Sequence, residues 1–321
     1  APPPGAPGPG EALVRIRRVG VCGTDLHAFR GKQPFFSYPR IVGHELGVEV
    51  VEAPDGGPLA PGDRCAVEPY LHCGGCLPCR RGKTNCCTRL RTLGVHIDGG
   101  MQELLRLPAA KLHPSRRLSL DELALVEMLT IGAHAVRRAE LLPGENTLIV
   151  GAGPIGLSTA VFARLTGARV LLLELSGARR AFAQRVLPGA VCLDGGGEVV
   201  EQLQAFTGGD LPTAVFDATG SAQSMMQAVR FVSNGGKLIF VSLVQGDLTF
   251  HDPELHAREL TLLRSRNATA RDFRWVLDSL EQGRIDVRPW ITHRAAAAET
   301  PEAFPGWLDP ERGVLKAVVE F

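Results

Sequence analysis

Hydrophobic and polar positions follow two different periods along this chain of 321 residues. They alternate one by one over residues 11–20, 46–53 and 63–68, and a Pro- and Gly-rich turn separates the second stretch from the third. Alternation with a period of two is typical of half-buried strands. The first third of the chain is therefore predicted to be mostly β-structure.

The period changes near residue 121. Apolar residues recur every three or four positions over 121–141, with Asp121 and Glu122 in the first turn, and this predicts a helix. Beyond it, buried strands alternate with helices. The strands are predicted at 146–150, 169–175, 214–219 and 237–243. Such βαβ alternation indicates a doubly wound parallel sheet, and a chain of this length predicts two domains.

A glycine-rich motif, GAGPIG, connects the first of these strands to the following helix. Its candidate binding residues are Gly151, Gly153, Pro154, Ile155 and Gly156. In dinucleotide-binding units the first glycine allows a tight turn, the second lets the backbone approach the pyrophosphate, and the third allows close packing of helix on strand. The helix N-terminus favours the phosphate charges. The motif therefore predicts a dinucleotide site; the alternative is a sheet of this type without a cofactor.

The identity of the dinucleotide depends on the end of the next strand, where Glu174 stands. Its carboxylate can accept hydrogen bonds from both ribose hydroxyls and would repel a 2′-phosphate, which favours NAD over NADP. Arg179 and Arg180 lie close by in the sequence and would attract a 2′-phosphate. NAD is the expected cofactor, and NADP is the alternative.

Eight cysteines are distributed unevenly along the chain. In a large chain of this kind, clustered cysteines indicate metal binding more than disulfides. Cys73, Cys76, Cys79 and Cys87 follow the pattern C-x2-C-x2-C-x7-C, and four thiolates in one short loop suit a closed tetrahedral zinc site. Cys86 is left outside that set. The alternative is a chance cluster of free thiols.

A second group of metal-ligand residues occurs earlier, in the segments GVCGTDLH and GHELG. Cys22, His44 and Glu45 offer sulfur, nitrogen and oxygen ligands, a mixture that open catalytic zinc sites can use. A single histidine is equally compatible with an ordinary core or surface position. Spacing alone therefore leaves both interpretations open.

Composition narrows the function class. The hydrophobic share is 45%, the charged share is 21% and the net charge is +1. A charge so close to zero provides no strong field for nucleic acid or an anionic membrane. The sequence has no apolar run of membrane-spanning length, and its N-terminus lacks the layout of a signal peptide, so a cytoplasmic protein is expected.

Taken together and in this order, GVCGTDLH, GHE, CGGCLPCRRGKTNCC, GAGPIG and DATG are similar to the motifs of the zinc-dependent medium-chain alcohol and polyol dehydrogenases. The resemblance implies an α/β fold in which a Rossmann doubly wound parallel sheet is inserted in a GroES-like β domain with a zinc lobe. The implied domains are 1–125 with the lobe at 72–88, then 126–268 for NAD, and a C-terminal return over 269–321.

The resemblance also implies the ligands of a catalytic zinc. Cys22 and His44 match two of them. The third is either Glu45, which follows that histidine as in sorbitol-type members, or Glu127, where alcohol dehydrogenases have a cysteine. Both alternatives stay open, and the four clustered cysteines match the ligands of a second, structural zinc.

Other residues match supporting positions of the family. Asp25 matches the residue that orients the histidine ligand. Thr24 and His27 match a proton relay, and Thr219 in DATG is expected at the cofactor. Without a metal, Asp25 and Thr24 would be ordinary turn caps.

A narrower resemblance, to the bacterial L-galactonate (L-gulonate) 5-dehydrogenase branch, is carried by GKQPFFSYPRIVGHE, LGVHIDGG and SRNATARDF. Members of that branch oxidise a secondary hydroxyl of a hexonate. Because a hexonate carries a carboxylate, its pocket should supply a cation, and Arg266 is the candidate. Asn267 is the candidate for hydroxyl contacts, and His96 is a candidate to line the pocket, although His96 is equally compatible with a structural role. Arg266 is also compatible with an ordinary surface position.

The predicted function is therefore hydride transfer from a secondary alcohol of a sugar acid or polyol to NAD, with one catalytic and one structural Zn2+. The expected partner is a small-molecule alcohol, and no binding to nucleic acid or to a membrane is expected. The chain is expected to form a homo-oligomer. Alternatives are a sorbitol/polyol or threonine-type zinc dehydrogenase, a zinc-free reductase of the same superfamily, and a zinc-ribbon interaction or sensor protein with a Rossmann domain.

Overall fold

The computed structural model describes residues 4–32 and 35–321, and these form two compact units. The first unit contains the described residues up to Met128 together with Ala268–Phe321, and the second is the continuous segment Leu129–Asn267. Each unit has a sheet and a buried apolar core of its own. None of the helices in the described ranges combines the length and apolarity that a membrane crossing requires.

The strands of the described residues are numbered here in chain order. They are β1 Glu11–Val21, β2 Glu45–Glu52, β3 Arg64–Val67, β4 Tyr70–Leu71, β5 Arg91–Thr92, β6 Leu104–Pro108, β7 Leu112–Pro114, β8 Asn146–Val150, β9 Arg169–Glu174, β10 Val191–Asp194, β11 Ala214–Asp217, β12 Lys237–Phe240, β13 Thr261–Arg264, β14 Ile291–Ala296 and β15 Lys316–Glu320.

The α-helices are numbered in the same way. They are α1 Gly23–Phe29, α2 Leu77–Arg80, α3 Leu120–Ala139, α4 Pro154–Leu165, α5 Gly177–Val186, α6 Val199–Thr207, α7 Ala222–Gln227, α8 Asp252–Ala257, α9 Ala270–Glu281 and α10 Thr300–Gly306. Short 3-10 helices occur at Thr84–Cys86, Ala109–Lys111, Ala228–Phe231, Arg288–Trp290, Ala297–Glu299 and Pro310–Arg312.

The first unit is built on a mixed sheet, seven-stranded within the described residues, with the order β14-β15-β1-β2-β3-β7 and β6 also paired to β1. Strand β1 is central because it pairs with β15, β2 and β6. Its alternating side chains, such as Val14 and Ile16, are buried against Leu46, Val48 and Leu107. This is the β-rich unit that the period-two pattern predicted.

A smaller two-stranded sheet closes the base of the cysteine-rich lobe. Strand β4 leads into the lobe and β5 leads out of it, and they pair antiparallel with Tyr70 opposite Thr92. Helix α2 and the 3-10 helix Thr84–Cys86 lie between them in the chain. The lobe is therefore an excursion from the first unit whose two ends are held together by main-chain hydrogen bonds.

The second unit contains an all-parallel sheet, six-stranded over the described residues, with the order β10-β9-β8-β11-β12-β13. The strand order reverses between β8 and β11, the position at which doubly wound sheets bind ligands. Leu148, Leu171, Val215 and Leu238 are fully buried in its core. The predicted fold class, a Rossmann doubly wound parallel sheet with a GroES-like β unit, is confirmed.

Candidate active site and metal centres

Antiparallel pairing of β1 with β2 brings the first candidate metal ligands together. Cys22 follows the end of β1, His44 precedes β2, and Glu45 is the first residue of β2. Gly20 lies opposite Glu45 in the register, and a Cβ on Gly20 would collide with the Glu45 side chain. The ligand atoms of Cys22, His44 and Glu45 all lie within 4.8 Å of one another.

Asp25 connects the two segments that carry these ligands. It is fully buried, and its carboxylate accepts the N–H of Cys22 at 2.9 Å and the N–H of Gly43 at 3.2 Å. The Oδ1 atom lies 3.7 Å from Nδ1 of His44. That nitrogen is buried without a hydrogen-bond partner among the described residues, and the imidazole has a side-chain hydrogen bond with Cys22. Asp25 thus lies beside the His44 ring, and its role in orienting that ligand stays a prediction.

The site concentrates negative charge around the imidazole. Burial alone would lower the pKa of His44, but the charges of Cys22, Asp25 and Glu127 outweigh it and raise that pKa well above its ordinary value. Burial raises the pKa of Asp25 and of Glu127. A cluster of a half-buried thiol with a buried imidazole and buried carboxylates fits a divalent cation such as zinc, which would relieve the repulsion between the negative groups.

Glu45 has a buried cationic partner that sequence reasoning missed. Both of its carboxylate oxygens lie 2.7 Å from Nζ of Lys316, which also donates to the carbonyl oxygen of Val21 at 3.1 Å. Glu45 is 1% and Lys316 is 3% exposed. Burial lowers the pKa of Lys316, but the charge of Glu45 outweighs this and raises it. A single lysine within the apolar segment GVLKAVVEF was the available signal.

Glu127 has a different partner. It lies on α3, is buried, and accepts a short hydrogen bond from the Tyr70 hydroxyl on β4. Burial raises the pKa of Tyr70 well above its usual value, so the phenol is a proton donor here. Tyr70 was also missed, because nothing local in the sequence links it to α3.

The relay candidates lie on α1. Thr24 is half-buried and His27 is exposed, one helical turn apart, so both side chains lie on the same side of the helix. Their role in proton transfer stays a prediction.

The four lobe cysteines have the geometry of a tetrahedral thiolate site. Four sulfurs about 2.3 Å from one ion stand about 3.8 Å apart. The Sγ atom of Cys76 lies 3.4 Å from that of Cys79 and 3.8 Å from that of Cys87, and all four sulfurs, including that of Cys73, lie within 4.8 Å of one another. Cys86 is exposed and outside this group.

The lobe also prepares two of these sulfurs as thiolates, the form that binds metal. A hydrogen bond from Arg89 lowers the pKa of Cys73 to about 5. The backbone N–H of Cys79 lowers that of Cys76 to about 7. Backbone N–H groups of Cys73 and Arg89 point at Cys87 Sγ, each at 3.3 Å.

The second unit has a cavity of about 550 Å³ beside the glycine motif. Gly151 has φ +95°, a conformation that favours glycine, and a Cβ on Gly156 would collide with the carbonyl oxygen of Gly151. Helix α4 therefore packs closely against β8. Gly153 has open space where a side chain would stand, and α4 begins at Pro154. This geometry suits the pyrophosphate of a dinucleotide at the start of a helix.

Glu174 lines the same cavity and is held by the backbone. Its carboxylate accepts the N–H of Ala152 at 2.7 Å and the N–H of Ser176 at 2.8 Å. Arg179 lines the cavity, whereas Arg180 donates to the Glu174 carbonyl at 2.7 Å and to Asp194 at 2.9 Å. One of the two arginines near Glu174 is thus already engaged by the protein.

Thr219 also lines the cavity and is held by a buried aspartate that sequence reasoning missed. The Thr219 N–H and hydroxyl donate to Asp217 Oδ1 at 3.0 and 2.8 Å, and the Ser224 hydroxyl donates to Oδ2 at 2.5 Å. Asp217 is fully buried at the end of β11. Its position two residues before the predicted Thr219, in the same DATG motif, was the available signal.

The substrate candidates lie in different parts of the chain. Arg266 and Asn267 follow β13 in the second unit, where Asn267 has φ +53°. His96 belongs to the first unit; its Nδ1 accepts the N–H of Thr92 at 3.0 Å, and its ring lies 6.4 Å from that of Phe35. Their contact with substrate stays a prediction.

Known proteins share this arrangement. The family of the alcohol dehydrogenase GroES-like domain matches residues 8–117, and that of zinc-binding dehydrogenases matches residues 154–282. L-galactonate-5-dehydrogenase of Escherichia coli K12 is 42% identical over 316 residues, which are 98% of this chain and 93% of that enzyme. The chain therefore belongs to the zinc-type alcohol dehydrogenases, in which a GroES-like unit accompanies a Rossmann-type unit.

Solved structures agree over nearly the whole chain. A putative zinc-binding dehydrogenase of Sinorhizobium meliloti 1021, bound to NADP, has a TM-score of 0.90 and 30% identity over 98% of this chain and 93% of that one. An alcohol dehydrogenase of Escherichia coli CFT073, complexed with NADH, has a TM-score of 0.90 and 27% identity over the same shares of 98% and 93%. The family therefore supports a nicotinamide cofactor without deciding between its two forms.

Proposed function

We propose that this chain is a zinc- and NAD-dependent dehydrogenase that oxidises a secondary hydroxyl of a sugar acid, with L-galactonate or L-gulonate as substrate. The observation that carries the proposal is the Cys22–His44–Glu45 cluster, with a half-buried thiol and two buried side chains, in a chain that is 42% identical to an L-galactonate-5-dehydrogenase. The dinucleotide cavity with Glu174 supports NAD as the hydride acceptor.

A zinc ion held there supplies Lewis-acid polarisation of the substrate hydroxyl, and the nicotinamide supplies the hydride acceptor. The chain's own residues hold the metal ligands in place, move the proton and bind the substrate. Asp25 fixes the backbone of Cys22 and Gly43 and faces the His44 ring, which holds the ligands in place. The Thr24 hydroxyl would take up the substrate proton while it releases its own, and His27 would carry the relayed proton towards solvent. Arg266 pairs with the substrate carboxylate, with Asn267 beside it.

Substrate choice is tested by NADH formation at 340 nm with L-galactonate, L-gulonate, sorbitol and threonine, together with zinc analysis. The highest kcat/KM is expected for one of the two hexonates, with two zinc ions per chain. Preference for sorbitol or threonine over both hexonates would refute the sugar-acid proposal. A single zinc per chain would favour the interaction or sensor alternative instead.

Cofactor choice is tested at the Glu174 carboxylate. Glu174→Gln removes the charge that repels a 2′-phosphate and weakens charge-assisted acceptance from the ribose hydroxyls, each worth about 1.5–3 kcal/mol. The ratio of kcat/KM for NAD to that for NADP is expected to fall at least about tenfold.

The matched control is Arg179→Gln, which lies in the same cavity and removes a positive charge. It is expected to shift the same ratio the other way. If Glu174→Gln leaves the ratio unchanged, Glu174 does not discriminate between the two cofactors.

A further inference from the structure

We infer that the cysteine lobe supports the active site at a distance, with Tyr70 as a positioning residue that orients the Glu127 carboxylate and thereby strengthens metal binding at Cys22 and His44. The inference rests on the proposed catalytic metal. It assigns Tyr70 no contact with substrate or cofactor.

The first observation is the hydrogen bond itself. The Tyr70 hydroxyl donates to Oε1 of Glu127, and both side chains are buried, at 3% and 4% exposure. Glu127 lies on α3, which packs so closely against β2 that a Cβ on Gly47, two residues beyond Glu45, would collide with the α3 backbone at Leu120. Its carboxylate is therefore carried by the helix that packs on the ligand-bearing strand, and its charge favours the protonated form of His44. A phenol that occupies one oxygen directs the other, which is the usual way in which an outer partner tunes a metal site.

The second observation is that the Tyr70 ring has little freedom. It packs edge-on against Phe273 of α9, with ring centroids 6.5 Å apart. Phe273 in turn stacks with His113, with ring centroids 4.9 Å apart and an interplanar angle of 12°. A side chain whose rotamer is already restrained by packing loses little entropy when it holds its hydrogen bond.

The third observation is a buried charge network on both sides of Tyr70. Lys111 Nζ binds Glu68, two residues before Tyr70, and lies 3.1 Å from Nδ1 of His72, two residues after it. Glu68 Oε2 also lies 3.3 Å from Nε2 of His113. Glu68 and Lys111 are buried, at 2% and 6% exposure. One lysine side chain therefore holds a side chain on each side of Tyr70.

The fourth observation connects this segment to the lobe. Tyr70 stands on β4, which enters the lobe, and pairs with Thr92 on β5, which leaves it. A metal ion bound by the four sulfurs would thus stabilise the lobe, and Tyr70 lies on the strand at the base of that lobe. The lobe acts on the other metal site through Tyr70.

The test is a chelator titration of the zinc-loaded protein and of its Tyr70→Phe variant, with a chromophoric chelator that reports released zinc. Tyr70→Phe keeps the ring and removes only the donor. Removing an outer partner of a metal ligand typically costs about 10–100-fold in affinity, so the active-site ion is expected to leave at a correspondingly lower chelator strength. The lobe ion should be retained as in the wild type, and turnover should recover with added zinc.

Two controls assign the result. Cys22→Ser identifies which release step belongs to the active site, and Tyr38→Phe removes the other phenol of a chain with two tyrosines. Tyr38 donates to the carbonyl oxygen of Ala28 at 2.6 Å, so Tyr38→Phe is expected to leave zinc affinity unchanged. Equal affinity in Tyr70→Phe and wild type would overturn the inference alone. If the wild type has no release step that Cys22→Ser lacks, the catalytic metal itself is refuted.

A second measurement covers the case in which Tyr70→Phe does not fold. In the Tyr38→Phe background Tyr70 is the single tyrosine, so 13Cζ-labelled tyrosine gives one NMR signal. That signal is expected to shift when the active-site zinc is removed and restored, because the Glu127 carboxylate changes its charge environment. An unchanged signal would overturn the inference.

Discussion

Cys22→Ser is expected to lower kcat for alcohol oxidation at least about a thousandfold, equivalent to about 4 kcal/mol of transition-state stabilisation, while NAD binding persists. The hydroxyl of serine is a poor substitute for a thiolate ligand, and the remaining His44 and Glu45 provide an incomplete site. The cofactor cavity belongs to the second unit and does not contain Cys22. Turnover is measured by NADH absorbance and NAD binding by calorimetry.

The matched control is Cys86→Ser, because Cys86 is exposed and outside both clusters of candidate ligands. It should retain wild-type turnover and wild-type zinc content. Near-normal turnover of Cys22→Ser would refute the assignment of the catalytic metal, whereas equal losses in both variants would indicate a general sensitivity to cysteine replacement.

Lys316→Met is expected to lower the free energy of unfolding by about 3–5 kcal/mol, measured by urea denaturation in the presence of a chelator. The substitution keeps an apolar stem of similar length but leaves the Glu45 carboxylate buried without its cation. Both of its oxygens contact Nζ in the native protein, so the whole charge compensation is lost at once. The large effect comes from the uncompensated charge rather than from the strength of the pair.

The double variant Lys316→Met with Glu45→Gln separates these two contributions. It removes the orphaned charge as well and is expected to recover most of the lost stability. Lys83→Met, at an exposed position, is the control and should change stability by less than about 0.5 kcal/mol. A double variant as unstable as the single one would show that Glu45 is not the origin of the effect.

Local spacing carried much of what the sequence could predict. Cys73 and its three neighbours lie within one loop, and the GAGPIG motif lies at one strand–helix turn, so chain proximity alone brings their atoms together. Cys22 and His44 are also close in the chain, and each directly adjoins the end of one of two strands that pair with each other. In each case the chemistry is concentrated in a short segment, and its residue types indicate the ligand.

The contacts that the sequence did not predict depend on packing between residues far apart in the chain. Lys316 on β15 contacts Glu45 on β2 because both strands pair with β1. Tyr70 on β4 contacts Glu127 on α3. No local pattern identifies such partners. Helix α9, in contrast, was missed although Phe273, Val276, Leu277 and Leu280 have helical spacing and are buried along one side.

The pairing of β15 with β1 has a consequence for how the chain folds during synthesis. Strand β15 lies between β14 and β1, and its Lys316 meets the carbonyl of Val21 across a separation of 295 residues. The second unit is one continuous segment and can fold as soon as it leaves the ribosome. In the first unit, β1 and Glu45 lack their partners in β15 until Lys316 has been synthesised. The protein is thus most exposed to misfolding during synthesis, while the first unit still lacks β15.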